Sequence, residues 1–372
     1  MKLSVMQENL VRGLQVVSRA VSARSTLPVL NNVLLRTEDG GLKLTATNLE
    51  IGITYWVPGK IEMAGAMTVP ARLLTDIVNG LPANERVDLE QQAQEMLHIT
   101  AGRFETHVKG IDAEEFPAIP SAGERPTTRI PQNVLRRALE EVTFAAATDE
   151  ARPILTGVLA RFEGNQLTLA AADNYRIAVK TIPVLDAVEE TSVVVPARSL
   201  HELSRVLADT DDPIDLVLSP SRNQILFHLE GIDLVSRLID GQFPNYQQVI
   251  PKSYTTRATV DRDQLLKAVR LASLIASSSA NIVKLHVGKD AETGVTVSAA
   301  ADVGDNKSDV EAQVEGDGTT IAFNARYLID VLANVATDQF SIELNGPLSP
   351  GVFRPVEDRQ YVHVVMPVKT TS

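Results

Sequence analysis

The chain has 372 residues, 44% of them hydrophobic and 22% charged, which is enough apolar material for several packed domains. This excludes a disordered, collagenous or mucin-like chain, and the longest uncharged apolar runs, such as 271–276, fall well short of the roughly 20 residues of a membrane span. The absence of cysteine excludes disulfides and thiol catalysis, and 35 basic against 47 acidic residues give a net charge of −12, which taken alone argues against a nucleic-acid partner.

The N-terminal stretch MKLSVMQENLVRG has one lysine, an early Glu8 and no long apolar core, so it does not read as a signal peptide. Leu10, Leu14 and Val17 recur at helical spacing and predict a helix over 7–20. Leu42, Leu44 and Ala46 alternate with Lys43, Thr45 and Thr47, the pattern of a half-buried strand. Pro70 introduces a second helix over 71–80, because proline's fixed φ and missing N–H suit a helix start. The stretch 118–128 (AIPSAGERPTT) follows Phe116-Pro117 and reads as a linker, rich in proline, glycine and small polar residues. A helix over 132–147 follows, then a strand through 193–195. Behind Pro196 the spacing predicts a helix over 197–208, with Leu200, Leu203, Val206 and Leu207 on one face. Residues 225–229 form a further strand, and 245–256 is a second linker after Phe243-Pro244. The last two helices are expected over 262–276 and 325–335, the latter capped by Asn324.

These elements repeat. TVPARLLTDIVNGL, VVPARSLHELSRVL and AFNARYLIDVLANV align without gaps, so that Pro70, Pro196 and Asn324 correspond, as do Arg72, Arg198 and Arg326. Leu10, Arg12, Leu14 and Val17 match Leu135, Arg137, Leu139 and Val142, and again Leu265, Lys267, Val269 and Ala272. GLKLTAT, NQLTLAA and GVTVSAA are a third matching set, and the two Phe-Pro pairs a fourth. Several segments sharing one period of about 125 residues imply three copies of one domain, too long for a solenoid repeat. The boundaries are 1–120, 128–248 and 256–372, and each copy is an α+β unit with antiparallel sheets and two helices on one face.

Motifs for catalysis are missing. Neither G-x-G-x-x-G nor G-x-x-x-x-G-K-[ST] occurs, and there is no G-x-S-x-G elbow. His201-Glu202-Leu203-Ser204-Arg205 resembles a zinc-protease helix but has arginine where the second histidine is needed. The six histidines, at 98, 107, 201, 228, 286 and 363, include no i, i+4 pair and read as structural or surface residues. Acid pairs such as Glu140-Glu141 and Asp211-Asp212 do not share a helix face and read as solvated surface. No enzyme, metal or cofactor is expected.

The charge is segregated. The six predicted helices hold 11 of the basic and 7 of the acidic residues, a net +4 against −16 for the rest. The same positions carry the cation in every copy: Arg12, Arg137 and Lys267 on the first helix, Arg72, Arg198 and Arg326 on the second. Solubilising the outer helix faces, or pairing within each domain, is one account. A surface facing a long polyanion accounts for the whole set, and its regular spacing suits a duplex backbone. Aromatics are only 4% and do not interleave with these cations, which argues against stacking on single strands. Helices lining a ring at about 9–10 Å spacing, each about 11 Å thick, leave no opening when there are six and one of about 25 Å when there are twelve. One chain cannot encircle a duplex and two can, so a homodimer is expected.

The whole chain resembles the bacterial DNA polymerase III beta subunits, the sliding clamps of the DNA-clamp family. The landmarks are STLPVL from Ser25, TVPAR from Thr68, DNYRIAV from Asp173, LIDGQFP from Leu238 with Tyr246, and YVHVVMP from Tyr361. The resemblance implies three DNA-clamp domains per chain and a head-to-tail dimeric ring. Such a ring slides on duplex DNA without reading sequence and tethers the replicative polymerase. It further implies a clamp loader and other replication and repair proteins that carry clamp-binding peptides; a cytoplasmic location is expected from the lack of cysteine, which fits a reducing compartment. Arg24 and Arg72 would approach the DNA backbone, with Arg198 a further candidate. A peptide-binding pocket would involve Arg152, Leu155, Tyr175, Arg176, Ile177, Pro244, Val249, Asn324, Tyr327, Leu348, Val364, Met366 and Pro367. Ordinary core packing is the alternative reading of Leu155, Ile177 and Val364. Ring closure would set Thr106 and Val108 against Leu274 and Ile275. The chain departs from the family where Thr106 stands for an aromatic, where Asp149, Pro153 and Ile154 replace DNA-facing polar and aromatic residues, and where Tyr175 replaces a more usual histidine. A three-domain protein-binding scaffold that never encircles DNA is the alternative function.

Overall fold

The computed structural model describes residues 1–22, 27–38, 40–119, 125–288 and 294–369. Among these residues six α-helices form: α1 (Gln7–Val17), α2 (Ala71–Gly80), α3 (Gln132–Val142), α4 (Ala197–Val206), α5 (Arg262–Ala276) and α6 (Ala325–Asn334). They fall where the apolar periodicity places them. The expected extensions of the first and third helices are 3-10 turns, Ser18–Ala20 and Thr143–Ala145. Each helix buries one stripe, Leu74 and Val78 in α2 or Leu328, Val331 and Leu332 in α6. Asn324 caps α6, its Oδ1 accepting from the Arg326 N–H at 3.0 Å.

The repeat has a packing reason. A Cβ on Gly13 would lie 2.8 Å from Leu44 and 2.9 Å from Tyr55, so α1 presses directly on its sheet there. The corresponding positions in the other two copies are Ala138 and Ala268, both buried. A small residue at one point on the first helix of every copy lets helix and sheet approach closely.

The chain divides into two compact units. Unit 1 comprises Met1–Gln132 and Arg205–Leu238, unit 2 Asn133–Ser204 and Ile239–Ser372. Unit 1 is built on one antiparallel sheet that runs from the edge strand Phe104–Lys109 through Met96–Ala101, Arg86–Gln92, Lys2–Met6 and Ile51–Met63. It continues into Ile232–Arg237, Gln224–Leu229, Pro213–Leu218 and Thr128–Pro131. The repeat boundary is thus crossed by a ladder in which Ile53 pairs with Leu234. Unit 2 has a ten-stranded sheet in which the long hairpin Gly157–Ala172 and Arg176–Pro196 joins Tyr361–Val365, with Ile177 opposite Val364. The central repeat therefore shares its backbone pairing with both neighbours, and contact density does not follow the three-fold sequence repeat.

Three expectations need correction. Glu141, expected as solvated surface, is buried and pairs with Lys180 at 2.7 Å. The strand Gly41–Thr47 is buried on both faces, because the segment around Phe116–Ile119 covers its outer side; the Thr45 and Thr54 hydroxyls satisfy each other at 3.3 Å. The linkers also pack: Ile119 lies against a small core of Val29, Leu30 and Phe116, and Tyr246 is buried beside Phe243. Among the described residues no helix is long and apolar enough to cross a membrane.

Candidate functional site

The turn after Gly157–Ala172 is built by Asp173, whose Oδ1 accepts from the Tyr175 N–H at 2.7 Å and the Arg176 N–H at 2.9 Å. An aspartate closing its own turn leaves the side chains two and three residues on apart: Tyr175 is exposed and Arg176 is buried. The Arg176 guanidinium then donates to Asp173 Oδ2 at 3.0 Å, to Asp330 Oδ2 at 2.5 Å and to the Phe144 carbonyl at 2.8 Å. It lies 4.7 Å over the Tyr327 ring, and that ring stacks on Tyr175 at 5.9 Å. Burial, and then the Asp173 charge, raise the Tyr327 phenol above its ordinary value, so it remains a neutral hydrogen-bonding group. Asp173, Tyr175, Arg176, Tyr327 and Asp330 line a cavity of about 730 Å³ within unit 2, joined by Asp149, Asn324 and Leu274.

Beside this polar end lies an apolar one. Leu155, Ile177 and Val364 belong to one core cluster with Phe243, Tyr246 and Val352, so the core-packing reading holds for these three. The residues leading out of that cluster stay exposed. The Met366 N–H donates to the Tyr175 carbonyl at 2.7 Å, carrying the Arg176–Val365 ladder one step further. Its side chain is 38% exposed. Val249, one turn beyond buried Tyr246, and Leu348, just before the strand Gly351–Pro355, are exposed too. Pro244 is exposed and Pro367 half-buried. Arg152 is exposed, with Nη1 donating to Asn174 Oδ1 at 3.2 Å. The residues carried over from the family thus sort into a polar corner (Arg152, Tyr175, Arg176, Asn324, Tyr327), a buried floor (Leu155, Ile177, Val364) and exposed apolar groups. Sequence reasoning missed Asp173, Asp330 and Phe144, which hold Arg176. Only the three-residue spacing of Asp173 and Arg176 signalled one of them.

The expected DNA-facing cations Arg12, Arg72, Arg137, Arg198 and Lys267 are all exposed on their helices. Arg72 has a loose partner one turn on, Asp76 at 4.0 Å. Arg24 lies outside the described residues. Of the residues expected at ring closure, Leu274 is 69% exposed and Ile275 half-buried on α5. Val108 is only 2% exposed and Thr106 half-buried on the edge strand. The exposed apolar group there is Phe104, on the same face two residues before Thr106.

Three copies of one α+β domain, with cations at matching outer positions of their helices, define a DNA-clamp protein, a class that works without catalysis. Models of the three DNA polymerase III beta subunit domains match in order: the N-terminal domain at residues 1–120, the central at 129–245 and the C-terminal at 247–369. The chain belongs to the DNA polymerase III beta subunit family, and its function is that of a beta sliding clamp, a non-catalytic processivity factor associated with DNA polymerase III. It is 32% identical to the beta sliding clamp of Bacillus subtilis and 28% identical to that of Staphylococcus epidermidis, in each case over the full length of both chains. Among solved structures, the Bacillus subtilis sliding clamp superposes with a TM-score of 0.94 at 30% identity, covering all of both chains. The beta subunit of Pseudomonas aeruginosa superposes with a TM-score of 0.90 at 29% identity, covering 99% of this chain and all of that one.

Proposed function

We propose that two copies of this chain close head to tail into a ring around duplex DNA, slide on it without reading sequence, and tether the replicative polymerase. The observation that carries the reading is the exposed cation at matching helix positions in every repeat, Arg12, Arg137 and Lys267 with Arg72 and Arg198. A charge arrangement of that regularity fits phosphates, which position a protein without specifying sequence. Arg24 completes the set by its family resemblance. The repeat boundaries 1–120, 128–248 and 256–372 describe the three domains of each subunit. Closure uses the edge strand Phe104–Lys109 against Leu274 and Ile275 of the partner, with Phe104 and Thr106 supplying the contact that buried Val108 does not.

The clamp loader, and the replication and repair proteins that carry clamp-binding peptides, dock at the Tyr175–Tyr327 corner and the apolar groups around Met366, in the cytoplasm. Exposed apolar side chains give such a peptide its affinity, and the fixed guanidinium and phenol groups orient it. The protein, loaded by its clamp loader onto a nicked circular duplex, is expected to be lost when the circle is linearised. Equal retention on circle and line would mean ordinary surface binding, the behaviour of a scaffold that does not encircle DNA. Met366→Ala is expected to weaken a polymerase-derived peptide roughly tenfold, measured by fluorescence anisotropy, with the mass of the assembly unchanged. An unchanged affinity would place the peptide elsewhere.

A further inference from the structure

The edge hairpin of unit 1 carries a cluster of titratable side chains on the face away from its buried apolar residues. Its strands, Met96–Ala101 and Phe104–Lys109, turn at Gly102, whose φ is 60°. The register sets His98 directly opposite His107 and Thr100 opposite Glu105. His98, Glu105 and His107 therefore share the face opposite to the one that buries Leu97, Ile99 and Val108. The two imidazoles stack with centroids 4.5 Å apart and planes 10° from parallel, and His98 Nε2 lies 2.8 Å from Glu105 Oε1. One ligand atom from each of the three residues lies within 4.8 Å of the other two. On the next strand Glu90 stands directly opposite His98, and Asp88 opposite Thr100.

We propose that His98, Glu105 and His107 form a binding site for a borderline transition-metal ion, with Zn²⁺ the ion to test. Two imidazole nitrogens and one carboxylate oxygen are a zinc donor set, whereas Mg²⁺ and Ca²⁺ require oxygen ligands almost throughout. In a tetrahedral zinc site with bonds of about 2.0–2.1 Å, ligand atoms stand roughly 3.4 Å apart. The present separations close to that by side-chain rotation alone, because the paired backbone already fixes the Cβ atoms. His98 and Glu105 exchange their mutual hydrogen bond for the metal, and the fourth position is left to water. Glu90 and Asp88 are not ligands: they are held by Lys2 at 3.8 Å and Arg86 at 2.8 Å. Bound there, the ion staples Phe104–Lys109, the strand proposed for ring closure, to its neighbour Met96–Ala101 and so fixes the edge that the partner meets.

The test uses the full-length protein, stripped with a chelator, desalted and titrated with ZnCl₂ by calorimetry and native mass spectrometry. One zinc per chain is expected, with X-ray absorption showing two imidazole scatterers and hydrogen exchange slowing over Phe104–Lys109. His107→Ala and the conservative His107→Gln change an exposed side chain and are expected to weaken binding roughly tenfold or more, with the circular dichroism spectrum unchanged. His201→Ala, on α4, is expected to bind as the parent does. The proposal is overturned if no saturable zinc binding occurs. It is equally overturned if the double variant His98→Ala/His107→Ala binds zinc as tightly as the parent.

Discussion

Arg176→Ala is expected to destabilise the protein by about 3 kcal/mol, read as a lower urea midpoint with an unchanged slope. The guanidinium satisfies Asp173, Asp330 and the Phe144 carbonyl at once, and it is almost completely buried. Removing it leaves two carboxylates without their counter-charge and one carbonyl without its donor. The value falls at the lower end of the 3–5 kcal/mol typical of broken buried pairs (about 3 rather than 5), because Asp330 keeps 29% of its side chain exposed. Asp173 also retains the two N–H groups of its own turn. Arg176→Lys is not expected to restore stability, since one ammonium cannot place three donors along the same divergent directions. A loss below about 0.5 kcal/mol in the alanine variant would mean that the network is slack and that the cavity owes its shape to something else.

Acid is expected to weaken the fold through His363. Burial first, and then the charge of Arg176, hold this imidazole at about 3, far below its ordinary 6.5. Among the described residues its Nε2 has no hydrogen-bond partner, and Nδ1 lies 3.5 Å from the Tyr361 hydroxyl. The folded state therefore refuses a proton that the unfolded state accepts below 6.5. The stability is fully present above 6.5 and drains away as pH falls toward 3, by about 1.4 kcal/mol for each pH unit. Between about pH 7 and about pH 5 this amounts to about 2 kcal/mol. Glu141 works in the opposite direction. Burial raises its carboxyl above the ordinary 4.5 against the pull of Lys180, so acidification relieves a charge that the folded state holds unwillingly. The informative comparison is accordingly with His363→Leu, whose stability is expected to fall by about 2 kcal/mol less than the parent's between those pH values. Parallel pH profiles for parent and variant would show that His363 takes up its proton without unfolding.

The helices were legible because each needs only a local stripe of apolar residues, and three copies of that stripe reinforced one another. Leu74, Leu200 and Leu328 occupy one repeat position, and all three are buried. Tyr175 and Arg176 were legible by resemblance, but not the division of labour between them, which depends on Asp173 folding back on its own backbone. Asp330 pairs with Arg176 across 154 residues of sequence, a distance over which no local pattern carries information. His98 and His107 escaped the search for helical spacing for a related reason. In a hairpin, partners mirror about the turn, so residues nine apart come face to face. The burial of Thr45 and Thr47 could not be read from an alternating strand either, because what covers the outer face is a segment that itself resembled a linker.

The ladders that cross the repeat boundaries bear on how the gene could be divided. Ile51–Met63 finds part of its pairing in Ile232–Arg237, and Arg176–Pro196 part of its pairing in Tyr361–Val365. A single repeat expressed alone would leave one edge of such a strand bare, and the central repeat would leave two, each with a row of unmatched N–H and C=O groups ready to recruit another chain. Adjacent repeats made as separate polypeptides should instead find each other through the same ladders. The connecting peptides would then matter for local concentration more than for structure.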